Sequence, residues 1–316
     1  MASPNSTFTE MITTTLREHP GEITDNVSDH NALARELKRK GKIKTVDGGH
    51  KIVRPLDYAE NSTYQRYAGY DVLNIQASDV LSAAEYDWMQ AAINVTASGR
   101  ELRLNSGKNQ IVDLAEARLK NAKRTAANNF SVDLYSDGAL TNQMGGLAHV
   151  IQTNGEGTVG GIVSATYTFW KNKFTEQGTP SKTSIKGDMQ LLWLQCVRGT
   201  DKPDLIVSTH DNFSYYWDAL TDLQRYTSAD EATVGFQALK FVTADVIFDS
   251  NDNFSTTGEK MFFLNTEYLE LCVHRDANWS QLDEKSAVNQ DAVVIPIIFQ
   301  GQLTCSNRSL QGVLFD

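Results

Sequence analysis

Residues 108–135 read KNQIVDLAEARLKNAKRTAANNFSVDLY, and the spacing of their apolar and small side chains decides the fold class. Ile111, Ala115, Leu119, Ala122, Ala126, Phe130 and Leu134 recur at steps of three and four, which places them in one stripe along a helix. Asp113, Glu116, Lys120 and Lys123 fall on the other faces, and the cluster Ser136, Asp137, Gly138 supplies a stop. At about 1.5 Å per residue such a helix is roughly 40 Å long, longer than most helices of globular domains. It is a spine for other elements to pack on.

Upstream of the spine the chain is poor in core. Residues 1–30 are polar, with a Pro20-Gly21 break, and carry too little apolar surface to fold alone. A short helix is expected from Asn31 to about Lys40, with Leu33 and Leu37 on one face and Gly41 as its stop. IKTV and HKIV then flank Asp47-Gly48-Gly49, a hairpin signal because glycine tolerates the positive φ of a tight turn. Residues 54–66 are polar and turn-like, and Tyr67 to Ile75 alternates as a strand does. A lone two-stranded extension over 42–76 is marginal in water and makes sense lying on another surface. Residues 79–98 mix an Ala-rich, helix-prone middle with a β-prone INVT and read as strand.

Downstream, helix and strand alternate without a regular βα repeat. Helices are expected near 183–198, carrying Leu191, Leu192 and Leu194, and from Asp211 or Asn212 as cap, with Phe213, Tyr216, Trp217, Leu220 and Leu223 on one face. Strands are expected in DLIVS, FVTADVIF, KMFFLNTEYLELCV and the C-terminal AVVIPIIFQGQLTCSNRSLQGVLF. The class is α+β.

Composition narrows function. The chain has 316 residues, 41% of them hydrophobic, and 29 basic against 39 acidic residues give a net charge of −10. That balance argues against a dedicated nucleic-acid reader, which concentrates positive charge. No apolar run approaches the roughly 20 residues of a membrane span, and the polar N-terminus has no signal-peptide pattern. Cys196, Cys272 and Cys305 are odd in number and far apart, so they read as reduced thiols of a cytoplasmic protein. One basic concentration stands out in the acidic chain: Arg35, Lys38, Arg39, Lys40, Lys42, Lys44, Lys51 and Arg54. It reads equally as a solvated face and as a contact for nucleic-acid phosphates or an acidic neighbouring subunit.

The motifs that resemble catalytic ones lack their context. Gly155-Glu-Gly157-Thr-Val-Gly160 is a GxGxxG, but the β-branched and aromatic IVSATYTFW follows where a dinucleotide site needs a helix. His274-Arg275-Asp276 matches a kinase catalytic loop, yet Gln281 stands where the metal-binding Asn belongs and no DFG follows. His210-Asp211 has no GxSxG partner, and the six histidines show no HExxH spacing. No catalytic, cofactor or metal residue is assigned.

The order of parts, together with ITDNVSDHNAL (23–33), YAENSTYQRYAGYDVLN (58–74), AANNFSVDLYSDG (126–138), RGTDKPDLIV (198–207), LNTEYLELCVHRDANW (264–279) and SNRSLQGV (306–313), resembles the major capsid proteins of tailed bacteriophages, those with the Hong-Kong-97-type fold. The likeness covers nearly the whole chain. It implies an N-terminal arm (1–41), an extended β-hairpin loop (42–78), a peripheral domain with the spine helix (79–137), a mainly axial domain (138–287) and a return to the peripheral domain (288–316). The implied function is self-assembly into pentamers and hexamers of an icosahedral head shell that encloses double-stranded DNA. In that setting Arg54, Tyr58, Glu60, Tyr64 and Arg66 are candidates for contact between subunits, and Arg35, Lys38, Arg39, Lys40, Lys42 and Lys44 for contact with DNA or a neighbour. Implied partners are other copies of the chain, a scaffolding protein, a portal protein, a decoration protein and packaged DNA. The implied location is the virion, assembled in the host cytoplasm. The short stretch before the loop leads to the expectation of a separate scaffolding protein and no large N-terminal cleavage. The alternatives are an encapsulin-like nanocompartment shell, a tail or adaptor component, and a nucleotide-using enzyme at Gly155–Gly160. A strand or loop after Gly160 favours the shell, and a helix favours the enzyme.

Overall fold

A computed structural model describes residues 31–104, 114–220, 239–249, 260–283, 285–286 and 291–316. Residues 1–30 of the expected arm (1–41) and the start of the spine stripe at Ile111 lie outside them. Helix α1 (Ala32–Arg39) opens the described chain. Its cap is Asn31, whose side chain accepts from Ala34 N at 2.8 Å, and Leu33 and Leu37 are fully buried. The same Asn31 amide donates to Ser131 Oγ at 2.6 Å and to Asp249 at 3.2 Å, which ties the start of α1 to the spine.

The spine is the helix Leu114–Tyr135, followed as expected by Gly138 at φ +71°. Leu119, Ala122, Ala126, Phe130 and Leu134 of the predicted stripe are buried. Phe130 sits edge-on to Trp279 and Phe299, with ring centroids at 5.8 and 5.2 Å, and those two rings stack at 4.9 Å. The stripe therefore packs on a five-stranded sheet made of β1 (Ile43–Val46), β4 (Met89–Ser98), β12 (Leu269–Gln281), β13 (Lys285–Ser286) and β14 (Ala292–Cys305). Strand β14 is its centre, pairing antiparallel with β12 and with β4.

A six-stranded sheet lies beyond it, in the order β7-β15-β11-β8-β10-β9: Lys173–Glu176, Gly312–Phe315, Lys260–Leu264, Leu205–Ser208, Ala244–Phe248 and Leu239–Phe241. Every residue of LIVS is buried because both faces are covered. Ile206, Val246, Met261, Phe263 and Leu314 meet the helices Ile185–Cys196 and His210–Leu220 on one face. Leu205, Val207, Phe262, Leu264 and Val313 join the spine's core on the other.

Several expectations are corrected. The hairpin across Asp47-Gly48-Gly49 does not form. Gly48 and Gly49, at φ +140° and +115°, carry the chain onward instead of folding it back, and β1 pairs in parallel with β12. Residues 52–57 (β2) pair instead with β3 (Leu81–Tyr86), from Ile52↔Tyr86 to Asp57↔Leu81. Tyr67–Ile75 alternates but forms no strand, and among the described residues it has no paired neighbour. The helix after β8 starts at His210, so Asp211 and Asn212 lie in its first turn and do not cap it. Leu191 and Leu194 are exposed, and of that trio only Leu192 enters the core. Strand β12 shares a sheet with β14, whereas Gly312–Phe315 joins the six-stranded sheet.

Candidate functional site

The feature with no function inside one subunit is the segment between β2 and β3. The stem of this hairpin is firmly seated. Ile52, Leu56, Ala84 and Tyr86 are buried with Val159, Trp170 and Cys272. The Tyr86 hydroxyl donates to Cys305 O at 2.8 Å and accepts from Cys305 N at 3.2 Å, and burial pushes its pKa up, so it stays a neutral phenol. Arg54 donates to Thr304 Oγ1 at 3.2 Å and to Cys272 Sγ at 2.8 Å, and it pairs with Glu270, which also takes Lys44 at 2.6 Å. Arg54 therefore serves its own chain, locking the stem to β12. Replacing it with Met leaves Glu270 with Lys44 alone, and we expect a loss of about 2–3 kcal/mol in chemical denaturation.

The GxGxxG loop is the second wall of that seat. No helix follows Gly160; instead Thr158–Val159 and Ile162–Val163 form a tight two-stranded turn. Gly160 (φ +60°) approaches the stem so closely that a Cβ would lie 2.7 Å from the Ala84 Cβ, and its carbonyl accepts from Glu85 N at 2.9 Å. The glycine is required by close packing. This loop is held from behind by Arg308, which is fully buried. Its guanidinium donates to Val150 O at 2.5 Å, Glu156 O at 2.7 Å, Trp170 O at 3.4 Å and Ser164 Oγ. Burial pushes the Arg308 pKa down to about 10, and the group remains a cation at neutral pH.

Beyond the stem, residues 58–80 make contacts among themselves. Tyr58 N donates to Val80 O, Ser62 N to Ser78 Oγ at 3.3 Å, Gln65 Nε2 to Val72 O at 3.0 Å and Ala68 N to Asp71 Oδ2 at 2.8 Å. The segment has shape, but its apolar side chains face solvent: Tyr64 is 81% exposed, Val72 91%, Ile75 93%, and Tyr70 wholly so. A contiguous apolar row on an extended segment marks an interaction surface. Of the predicted contact residues, Glu60, Tyr64 and Arg66 lie here and are exposed, and Tyr58 sits at the base with its ring 5.6 Å from Phe169. Tyr67, Tyr70, Val72 and Ile75, not among the predicted residues, are exposed beside them. Their alternation was visible, but it was assigned to a strand.

The basic concentration is largely engaged within the chain. Arg39 pairs with Glu36 at 2.6 Å and Asp245 at 3.1 Å, Lys40 with Asp204 at 2.6 Å, and Lys51 with Glu85 at 3.1 Å. Arg35, Lys38 and Lys42 sit beside them on the same segment. His274-Arg275-Asp276 lies within β12 at a register shift, where Arg275 pairs with Asp47 at 2.7 Å. All three cysteines are buried, and burial pushes the Cys196 and Cys305 thiols up to about 12, so they are unreactive. Among the described residues no helix is long and apolar enough to cross a membrane.

Comparison with known proteins extends this geometry. The family described as SU10 major capsid protein matches residues 87–313. No curated protein matches the chain in sequence. Among solved structures, the capsid asymmetric unit of Cyanophage A-1(L) is similar at 13% identity and a TM-score of 0.58, covering 88% of this chain and 92% of that one. The capsid of an empty GTA particle is similar at 10% identity and a TM-score of 0.58, over 99% of this chain and 94% of that one. The SrpI encapsulin from Synechococcus elongatus PCC 7942 gives 9% identity and a TM-score of 0.54, over 89% and 86%.

Proposed function

The chain belongs to the SU10 major capsid protein family, and on that premise we propose that its residues 58–80 are the part that joins one subunit to the next. The protein is a phage major capsid protein with the Hong-Kong-97-type fold. It is a structural component of the virion that associates with its own copies into a shell, and it is not an enzyme. The encapsulin shares the fold, while family membership favours the phage shell.

The single observation that carries the joining role is the contrast inside one hairpin. Its stem is bolted down by Arg54, Tyr86 and Gly160, while its apolar tip is exposed among the described residues. Covering that row with a neighbouring copy removes it from water, and repeating the contact around a ring closes the surface. Tyr64, with Glu60 and Arg66 beside it, lies on the neighbour in this reading; Tyr58 and Arg54 set the angle of departure. The five-stranded sheet with the spine corresponds to a peripheral domain, and the six-stranded sheet with its two helices to an axial domain around which pentamers and hexamers form. A separate scaffolding protein, a portal protein and a decoration protein complete the assembly, and the shell holds double-stranded DNA. Contact with that DNA is through phosphates, with Arg35, Lys38, Arg39, Lys40, Lys42 and Lys44 as the candidate cations. Hydrogen exchange tests the joining role. Amides of residues 58–80 should slow by about 100-fold or more between free subunits and shells, and equal exchange in both states contradicts it.

A further inference from the structure

Lys260 has no role in anything described so far. It opens β11, opposite Phe315 of β15, and it is nine-tenths buried. By the two-residue period of a strand it shares a face with Phe262 and Leu264, whose side chains enter the spine's core. At the position of Lys260 that core gives way to a cavity of about 390 Å³, lined also by Asp137, Gln152, Thr153, Asn154, Phe262 and Val313. Among the described residues no hydrogen bond or ion pair reaches the ammonium; Asp137 and Asp316 act on it only through their fields. Burial pushes its pKa down, and those two acids oppose the shift. Asp137 is committed nearby, accepting from Ala139 N at 3.0 Å.

The stem of Lys260 is buried and its ammonium, at the cavity, lacks a protein acceptor among the described residues, so a carboxylate arriving there supplies one. We propose that this cavity receives an Asp or Glu side chain from a second copy of this chain, with Lys260 as its ion-pair partner across the subunit boundary. Three observations choose that occupant. The cavity, about 390 Å³, has the size of a few side chains, and Asp137, Gln152, Thr153 and Asn154 line it with hydrogen-bonding groups beside Lys260. The chain carries 39 acidic residues against 29 basic ones, so neighbours present carboxylates in excess. Assembly also surrounds each subunit with its own copies, which makes the ligand available wherever the protein functions.

The test uses shells assembled from a mixture of light and nitrogen-15-labelled full-length chains. A carbodiimide then joins adjacent ammonium and carboxylate groups as an amide, with the water lost taken up as the urea. The expected product is a Lys260 cross-linked peptide with one light and one heavy half, absent from unassembled subunits. Cross-links of a single isotope only, the same yield before and after assembly, or no Lys260 product overturns the proposal. Lys260→Met gives a second reading: its free subunit should keep the wild-type circular dichroism, and shells should need at least about tenfold more protein to form. Unchanged assembly by a folded variant also overturns it. Inorganic phosphate is the third arm, titrated into free subunits. Phosphate that binds at Lys260 and leaves the mixed-isotope product absent from shells would show a small-anion site instead.

Discussion

A subunit carrying serine at Tyr64, Tyr67, Tyr70, Val72 and Ile75 should fold, stay soluble and form no shells. These five side chains are exposed in the single subunit and touch none of its core, so removing them leaves the stem residues Ile52, Leu56 and Tyr86 and the subunit's thermal melting unchanged. In the assembled state each has apolar surface to lose from water, worth about 1.5–3 kcal/mol when fully covered. Even partial covering places the combined effect near 5 kcal/mol for each loop, which is more than a thousandfold in association. Sedimentation of wild type and variant at equal concentration reads the result directly. Shells of normal yield from the variant would remove the loop from the account of assembly.

The second large effect is expected at Arg308, and it acts on folding. Arg308→Met removes the donors that satisfy the carbonyls of Val150, Glu156 and Trp170 and the Ser164 hydroxyl, all in one buried place. Unsatisfied buried polar groups cost about 1–3 kcal/mol each, so the loss should reach about 4 kcal/mol or more. Against a typical total stability of about 5–15 kcal/mol this removes a large share of the margin that keeps the subunit folded. Arg308→Lys should recover only part of the loss, because an ammonium is a point donor and cannot span acceptors arranged for a planar fork. Urea denaturation measures the size. Hydrogen exchange should show the damage spreading from residues 150–172 to the stem at 52–57 and 81–86, because that loop is the wall the stem rests on. A variant within about 1 kcal/mol of wild type would mean that the loop is held by other contacts.

What was legible in the sequence was whatever is local or periodic. The spine stripe, the two helices on the six-stranded sheet and the β-rich C-terminus follow from side-chain spacing, and Asn31 announces the start of its helix. Strand pairing was not legible across Asp47-Gly48-Gly49. The glycines permit a turn, but the better hydrogen-bonding edges belong to β12 and to residues 81–86, far along the chain. The basic segment 35–54 was visible as charge, while the acids that neutralise much of it, Asp204, Asp245 and Glu270, come together with it only in the fold. Nothing in SNRSLQGV distinguishes Arg308 from a surface arginine. The glycine motif was read correctly as lacking a helix after it, but its role as the seat of the hairpin stem depends on contacts with Ala84 and Tyr86. Tyr67–Ile75 alternates as a half-buried strand does, yet these side chains are exposed in the subunit, which is the pattern the proposed covering by a neighbouring copy accounts for.

The most direct test of the central claim is a cryo-electron microscopy reconstruction of particles formed by the full-length chain, at a resolution that traces the backbone between β2 and β3. The account predicts a closed shell in which residues 58–80 leave their own subunit and Tyr64, Tyr70, Val72 and Ile75 lie against a neighbouring copy. A shell in which that segment projects into solvent, or folds back over its own subunit, would contradict it.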